Sequence, residues 1–253
     1  MRVGPRILIL LAAVLTVGCA PLAAFRSPRP SPEIESAMRS LAIGDTAKAT
    51  AIFDAEIRKN PLEPAPYEIA SGILMMRGHA ELAIKYAEPG LKAVPAENRE
   101  GRARLYIALG GAYDASGNRE GFIRASHDAL KLTPDDPHAL NGLGYAYAQA
   151  GKNLDEALRI TTRAIDLARK QNMPDKSLAA IVDTLGWLYY KMGNLDEAVN
   201  YLSRAADMAP DHWEIHDHLS QAYRAKGMAN EARIESERAR TARTAGQPPN
   251  ERK

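Results

Sequence analysis

Two histidines one helical turn apart are the residues of this 253-residue chain whose types and spacing most directly suggest chemistry. In His212-Trp213-Glu214-Ile215-His216 the rings share one helical face and His218 follows, so a zinc ion used for hydrolysis is one function to weigh. The glutamate is displaced by one place from the H-E-x-x-H protease pattern and lies on another face. Histidines at a helix start are ordinarily solvated surface residues. Gly142 and Gly144 echo a dinucleotide-binding loop, but they sit inside a helical pattern with no strand before them. No nucleophile stands beside a recognisable base and orienting acid. The chain therefore reads as non-enzymatic, without metal or cofactor, and a metal-dependent enzyme or protease regulator using His212, His216 and His218 is the alternative.

Charge narrows the partners. Of the 33 Lys and Arg, two precede Cys19, as do none of the 31 Asp and Glu, so the remainder is balanced. A neutral chain argues against nucleic acid, because phosphate binding needs surplus cations. Cys19 is the single cysteine, which rules out an intrachain disulfide framework. Packing alone must hold the body together.

What must position any site is a set of punctuated helical segments. Gly44, Gly78, Gly117, Gly151, Gly193 and Gly227 recur at spacings of 34, 39, 34, 42 and 34 residues. Tyr113, Tyr147, Tyr189 and Tyr223 each stand four residues before their glycine, and Leu109, Leu143, Leu185 and Leu219 stand eight before it. Beside the leucines runs a column of small residues, Gly110, Gly144, Gly186 and Ser220. A second-helix column follows as Ala49, Ala83, Phe122, Ala157, Ala198 and Ala232. In the best-formed unit, around residues 181–210, Leu185 and Tyr189 share an apolar face, Gly193 ends a first helix, and Pro210 closes a second. Asn194 with Glu197, Asn153 with Glu156, and Asp211 with Glu214 predict N-terminal caps.

This pattern resembles the tetratricopeptide (TPR) repeat, whose usual length is 34 residues. The resemblance implies an all-α, right-handed superhelix, an α-solenoid of about six helix-turn-helix repeats. Their expected bounds are 31–64, 65–98, 103–136, 137–175, 179–212 and 213–243, within a domain over 33–243. Repeats one and two are the weakest matches, and Pro89-Gly90 predicts a kink in the second helix of repeat two. Repeat four lacks a closing proline, so its second helix runs on to a loop near Asn172-Met173-Pro174. Residues 244–253 read as a disordered tail.

The chain begins with Arg2, Arg6 and an apolar run over 7–17 that is too short to span a bilayer comfortably. Residues 1–18 read as a signal peptide, and Leu15-Thr16-Val17-Gly18-Cys19 is similar to a bacterial lipobox, with Thr16 where a leucine is usual. The similarity implies lipidation, including palmitate, at Cys19 and retention in the outer membrane facing the periplasm. Residues 19–32, with four prolines, would form an extended tether.

In such a solenoid the first helices line a concave groove. The residues expected there are Asn141, Tyr145, Asp183, Trp187, Tyr190, Asp217, Gln221 and Arg224, an aromatic patch with a mixed-charge rim. Trp187 and Tyr190 could equally fill the seam between repeats. Asp183 and Asp217 stand where some TPR domains place a carboxylate-gripping set, which favours a guest with basic or apolar residues. The expected role is a protein-binding scaffold of the bacterial envelope, in a secretion, pilus or outer-membrane complex.

Overall fold

The computed structural model describes residues 31–245, which form twelve α-helices and no strand. They run α1 (Pro32–Ala42), α2 (Thr46–Lys59), α3 (Pro64–Met76), α4 (Ala80–Ala93), α5 (Arg99–Ala115), α6 (Arg119–Leu132), α7 (Pro137–Ala150), α8 (Leu154–Lys170), α9 (Asp175–Lys191), α10 (Leu195–Met208), α11 (Trp213–Ala225) and α12 (Ala229–Ala245). Consecutive helices pair into the six expected units. The signal peptide, Cys19 and most of the tether lie outside the described residues.

Each unit turns on its glycine. Gly193 has φ of 82°, its N–H donates to the Tyr190 carbonyl, and the next N–H, from Asn194, reaches the Tyr189 carbonyl at 2.9 Å. This is a Schellman closure, and the left-handed φ it needs is cheap only for glycine. The other five turn glycines share the sign, and the tyrosine column supplies the accepting carbonyl in repeats three to six.

The small-residue column sets how closely a first helix approaches its own second helix. A Cβ on Gly186 would lie 2.7 Å from Leu202 Cγ and 2.9 Å from the Leu202 backbone nitrogen. At Gly110 the space is taken by the Phe122 ring. Repeat six has Ser220 there, and its hydroxyl donates to the Ala232 carbonyl at 2.8 Å, so a polar atom occupies the gap with its bond made.

Stacking follows a simple rule. First helices touch the next first helix from α3 to α11, and each second helix packs against the following first helix, while second helices make no substantial contact with one another. An inner layer in contact and an outer layer splayed apart must curve, with the first helices on the concave side. The core is continuous from Phe122 to Ala222, and a separate cluster of Ile34, Leu41, Phe53, Leu74 and Ala112 holds the N-terminal repeats.

Several local expectations need correction. Asn153 and Asn194 make no side-chain cap bond, and α11 starts after His212, also without one. The extra residue in the repeat-four turn places Asn153 itself in the left-handed region, at φ 50°, from which its side chain does not cap. Working caps instead include Asn98 and Asn118, bonding Gly101 and Gly121 N–H groups at 3.0 and 2.9 Å, beside Ser31, Asp45 and Asp136 on other helices. Helix α4 includes Pro89 within its span, with Gly90 against the Tyr67 ring. Helix α12 continues to Ala245, two residues past the expected boundary, and the Arg243 guanidinium lies 3.6 Å over the Trp213 ring.

Two glycine substitutions test this packing. Gly186→Ala should destabilise the protein by about 1–3 kcal/mol through overpacking. Gly142→Ala, in mid-helix with only Ser126 Oγ near, at 3.7 Å, should be neutral or stabilise by up to ~1 kcal/mol. Urea unfolding of both variants checks the pair.

Candidate functional site

The concave face is built from equivalent positions on successive first helices. Ten residues before the turn glycine stand Asn141, Asp183 and Asp217; six before it stand Tyr145, Trp187 and Gln221; three before it stand Asp114, Ala148, Tyr190 and Arg224. Each set crosses neighbouring helices as a row, because the helices lie side by side in the inner layer.

Trp187 anchors the centre. Its ring stacks on Tyr190 at 4.6 Å and on His218 at 4.2 Å, with Lys191 Nζ 4.6 Å from its centroid. The expected aromatic patch is therefore not an open surface: Trp187 keeps 4% of its exposure, and Asn141, Tyr145 and Asp183 are also buried. Tyr190, Asp217 and Gln221 are half-buried, and only Arg224 is exposed. The seam reading holds for Trp187, which is clamped between repeats five and six.

His218 carries the electrostatics. Its Nδ1 lies 3.0 Å from both Asp183 carboxylate oxygens, tying α11 to α9. Burial pushes its imidazole pKa down, but the Asp183 charge, the bond to Asp183, and the charges of Asp217 and Glu214 outweigh burial and hold it above the usual value. Across the face, Asp114 is pushed up to about 6, mainly by burial, against the opposing pull of Arg119 and His218. Lys191 is held below its ordinary value, first by burial and then by Arg119. Towards the N-terminus Arg104 Nε donates to Glu68 at 3.1 Å; burial still raises the Glu68 carboxyl, with Arg104 only partly offsetting it.

Polar atoms within this face lack partners. Neither Oδ1 nor Nδ2 of Asn141 has a hydrogen bond, nor does Nε1 of Trp187, although all are buried. Asp217 accepts from Gln221 Nε2 at 2.9 Å, and Tyr145 OH accepts from Gln149 Nε2.

The histidines do not form the zinc arrangement weighed as the alternative. His216 faces Glu235 through Nδ1 at 2.6 Å and the Pro210 carbonyl through Nε2 at 2.8 Å; His218 faces Asp183, and His212 Nδ1 lies 3.0 Å from Glu214. Three rings with three separate partners do not converge on one ion, and among the described residues no group of three or more His, Cys, Asp or Glu side chains is placed to hold a metal. Sequence spacing missed the Asp183–His218 pair because the residues belong to different repeats. Their adjacent registers, ten and nine before the turn glycine, were the available signal.

The shifts of His218, Asp114 and Glu68 share one sign. The folded-state values of His218, Asp114 and Glu68 all lie above their unfolded references of 6.5, 3.8 and 4.5, so each favours protons in the folded state. The His218 contribution is full below about pH 6.5 and is lost as pH rises through its folded value. The buried carboxylates begin to oppose folding above their unfolded values, and Asp114 does so fully above about pH 6. The melting temperature should therefore rise from pH 8 to pH 6 through His218, and Asp114→Asn should change the profile mainly below that window, between about pH 6 and its unfolded value of 3.8.

Known proteins match this architecture. Residues 135–211 match one tetratricopeptide repeat family profile and residues 184–248 match a second. A TPR repeat-containing protein of Pseudomonas aeruginosa is 38% identical over 88 residues, a stretch covering 35% of this chain and 14% of that protein. Among solved structures, the APC/C hetero-tetramer Cut9–Hcn1 superposes with a TM-score of 0.64 at 18% identity, over 83% of this chain and 39% of that one. A tetratricopeptide repeat protein from Parabacteroides merdae gives 0.57 at 19% identity, over 83% and 78% of the two chains. BtubC from P. vanneervenii gives 0.54 at 19% identity, over 90% and 96%. Repeats four to six, within residues 135–248, are by these matches tetratricopeptide repeats, and the glycine-closed helix pairs before them share the same fold.

Proposed function

We propose that the chain is a non-enzymatic scaffold that presents its concave face to a segment of a protein partner. The observation that carries this reading is the row of half-buried and exposed polar and aromatic side chains, Tyr190, Asp217, Gln221 and Arg224, on two adjacent first helices. Such a surface has aromatic anchors with adaptable polar neighbours, the composition of a protein-binding patch. Rigid stacking supports the role, because a preformed groove loses little entropy on binding.

The setting belongs to the same proposal. The basic start, short apolar run and lipobox-like residues before Cys19 support export and a lipid anchor, with the repeats acting on envelope machinery at the outer membrane. Metabolic labelling with palmitate should mark the wild-type protein and not Cys19→Ser; equal labelling of both would remove the anchor from the reading.

Contact in cells is the direct test. A photo-crosslinking amino acid at Tyr190 or Arg224 should capture a protein partner that the same probe at Arg163, exposed on the second helix α8, does not. Equal capture from both positions would place the binding surface elsewhere. Trp187→Ala is a poor substitute, since emptying a buried aromatic site costs about 3–5 kcal/mol and would confound binding with unfolding.

A further inference from the structure

Three of the six histidines of the chain fall between positions 212 and 218, and two of them, His216 and His218, are buried within α11. Two places apart on one helix, their rings point to different neighbours. His216 faces Glu235 of α12 through Nδ1 at 2.6 Å and the Pro210 carbonyl, just ahead of α11, through Nε2 at 2.8 Å. His218 faces both Asp183 oxygens of α9 through Nδ1 at 3.0 Å, with its ring stacked on Trp187 at 4.2 Å. Imidazoles therefore pin α11 to its own second helix, to the preceding connection and to repeat five.

These pins belong to the last repeat alone. At the registers of His216 and Glu235, eleven before and eight after the turn glycine, repeat five carries Val182 and Tyr201. Repeat four, with its extra turn residue, carries Leu140 and Ile160 there, and the His218 register holds Thr184 and Gly142. The inner repeats use groups that stay neutral near pH 7; the terminal one uses titratable pairs.

Hydrogen bonding sets the proton count at His216. A carbonyl and a carboxylate only accept, so bonds at both ring nitrogens need a hydrogen on each, and the His216–Glu235 pair holds one proton more than a neutral ring beside a carboxylate. Around His218 the facing charges are mostly negative: Asp183 from α9, Asp114 from α5, and Glu214 and Asp217 from α11 itself. Helix α7 contributes the Tyr145 ring, at 6.3 Å. The opposing cations are Lys191, which lies over Trp187, and Arg119, which acts on Asp114 and Lys191. Elsewhere on α11, His212 lies against Glu214, Lys226 pairs with Asp196 of α10, and Arg238 of α12 bonds Glu235.

We propose that α11 is a proton-operated latch: with the extra protons on His216 and His218, repeat six is fastened to repeat five, and when they are lost α11 and α12 open together while repeats one to five stay folded. A neutral His218 still donates to Asp183 but leaves a buried carboxylate without its cation, and a neutral His216 leaves one acceptor unmatched. Opening is local because a terminal repeat has one neighbour, and solenoid stability is close to a sum of neighbour terms. The sign follows from His218: burial lowers its closed-state value, but Asp183 and the bond to it raise it further, above the ordinary 6.5. The latch is thus fully held below about pH 6.5 and is released as pH rises through the closed-state value. The same helix carries Gln221 and Arg224, so its state decides whether they stand beside Tyr190.

The test is hydrogen exchange of the full chain, followed helix by helix from about pH 5.5 to about pH 9 and corrected for intrinsic exchange chemistry. Protection of α11 and α12 should fall by up to about tenfold per pH unit for each ring above pH 6.5, while α3 to α8 keep theirs. His218→Gln, which donates to Asp183 but carries no charge, should lower repeat-six protection at pH 6 and remove most of its pH response. His216→Val with Glu235→Tyr, the pair that repeat five uses, should keep repeat six closed and leave only the His218 part of the response. Imidazole NMR of the wild-type chain needs no variant: both rings should lose their protons over the range in which α11 and α12 lose protection. Titration of the rings with that protection unchanged overturns the latch, as does protection that is constant throughout or lost evenly across all six repeats. None of these outcomes bears on the scaffold reading.

Discussion

The structure depends on how closely two helices of one repeat approach at a residue with little or no side chain. At Gly186 that approach brings the Leu202 backbone nitrogen to 2.9 Å from where a Cβ would sit, and at Gly144 it brings in Thr161. A helix pair this close still has two unburied faces, so it gains its remaining apolar contacts only by stacking on another pair. Curvature follows from that stacking, because only the inner helices close on each other. One small-residue column thus links repeat geometry, core continuity and the existence of a concave face.

Much of this was legible in the sequence. Glycine spacing located every turn, and the tyrosine column marks the carbonyl that closes repeats three to six. Helix starts were less legible. Asn118 both closes the preceding turn and caps α6, and the residue three on is Gly121, where a Cβ would meet the Asn118 side chain at 2.9 Å. Asn98 with Gly101 repeats the arrangement. Where that third residue is Glu156 or Glu197, the cap bond is absent. The familiar capping-box spacing pointed at the wrong pair of asparagines, because in so tight a turn room for the asparagine side chain counts for more than a reciprocal glutamate.

The site was legible as a list of positions and illegible as an environment. Register arithmetic places Asn141, Asp183 and Asp217 in a row, but whether a row is solvated or buried depends on how far the superhelix closes on itself. The inner layer brings Asp114 of repeat three within electrostatic reach of His218 of repeat six, a separation of 104 positions that no local pattern records. Burial then reverses expectation: Asp183, which looked like part of a charged rim, is desolvated, and it holds up the pKa of His218 in the neighbouring repeat. His218 moves from imagined metal ligand to cross-repeat partner of Asp183 for the same reason.

The two halves of the inner layer have different costs. In repeat one, equivalent positions carry Ile34, Met38 and Leu41, which pack or lie against an apolar cluster and demand nothing further, while repeat two combines Met75 with a Glu68 carboxylate whose bonds Arg104 supplies. In repeats four to six they carry an amide without partners, a carboxylate held by an imidazole, and an indole whose N–H is unmatched. Leucine at Asn141 would avoid a desolvation loss of about 1–3 kcal/mol. In a solenoid, stability is close to a sum of neighbour terms, so such a loss falls on one or two junctions while the apolar repeats maintain the rest. The architecture can therefore carry unmet hydrogen bonds locally without unfolding globally. Those unmet bonds are also the atoms able to distinguish one guest from another, since a purely apolar face discriminates little beyond size.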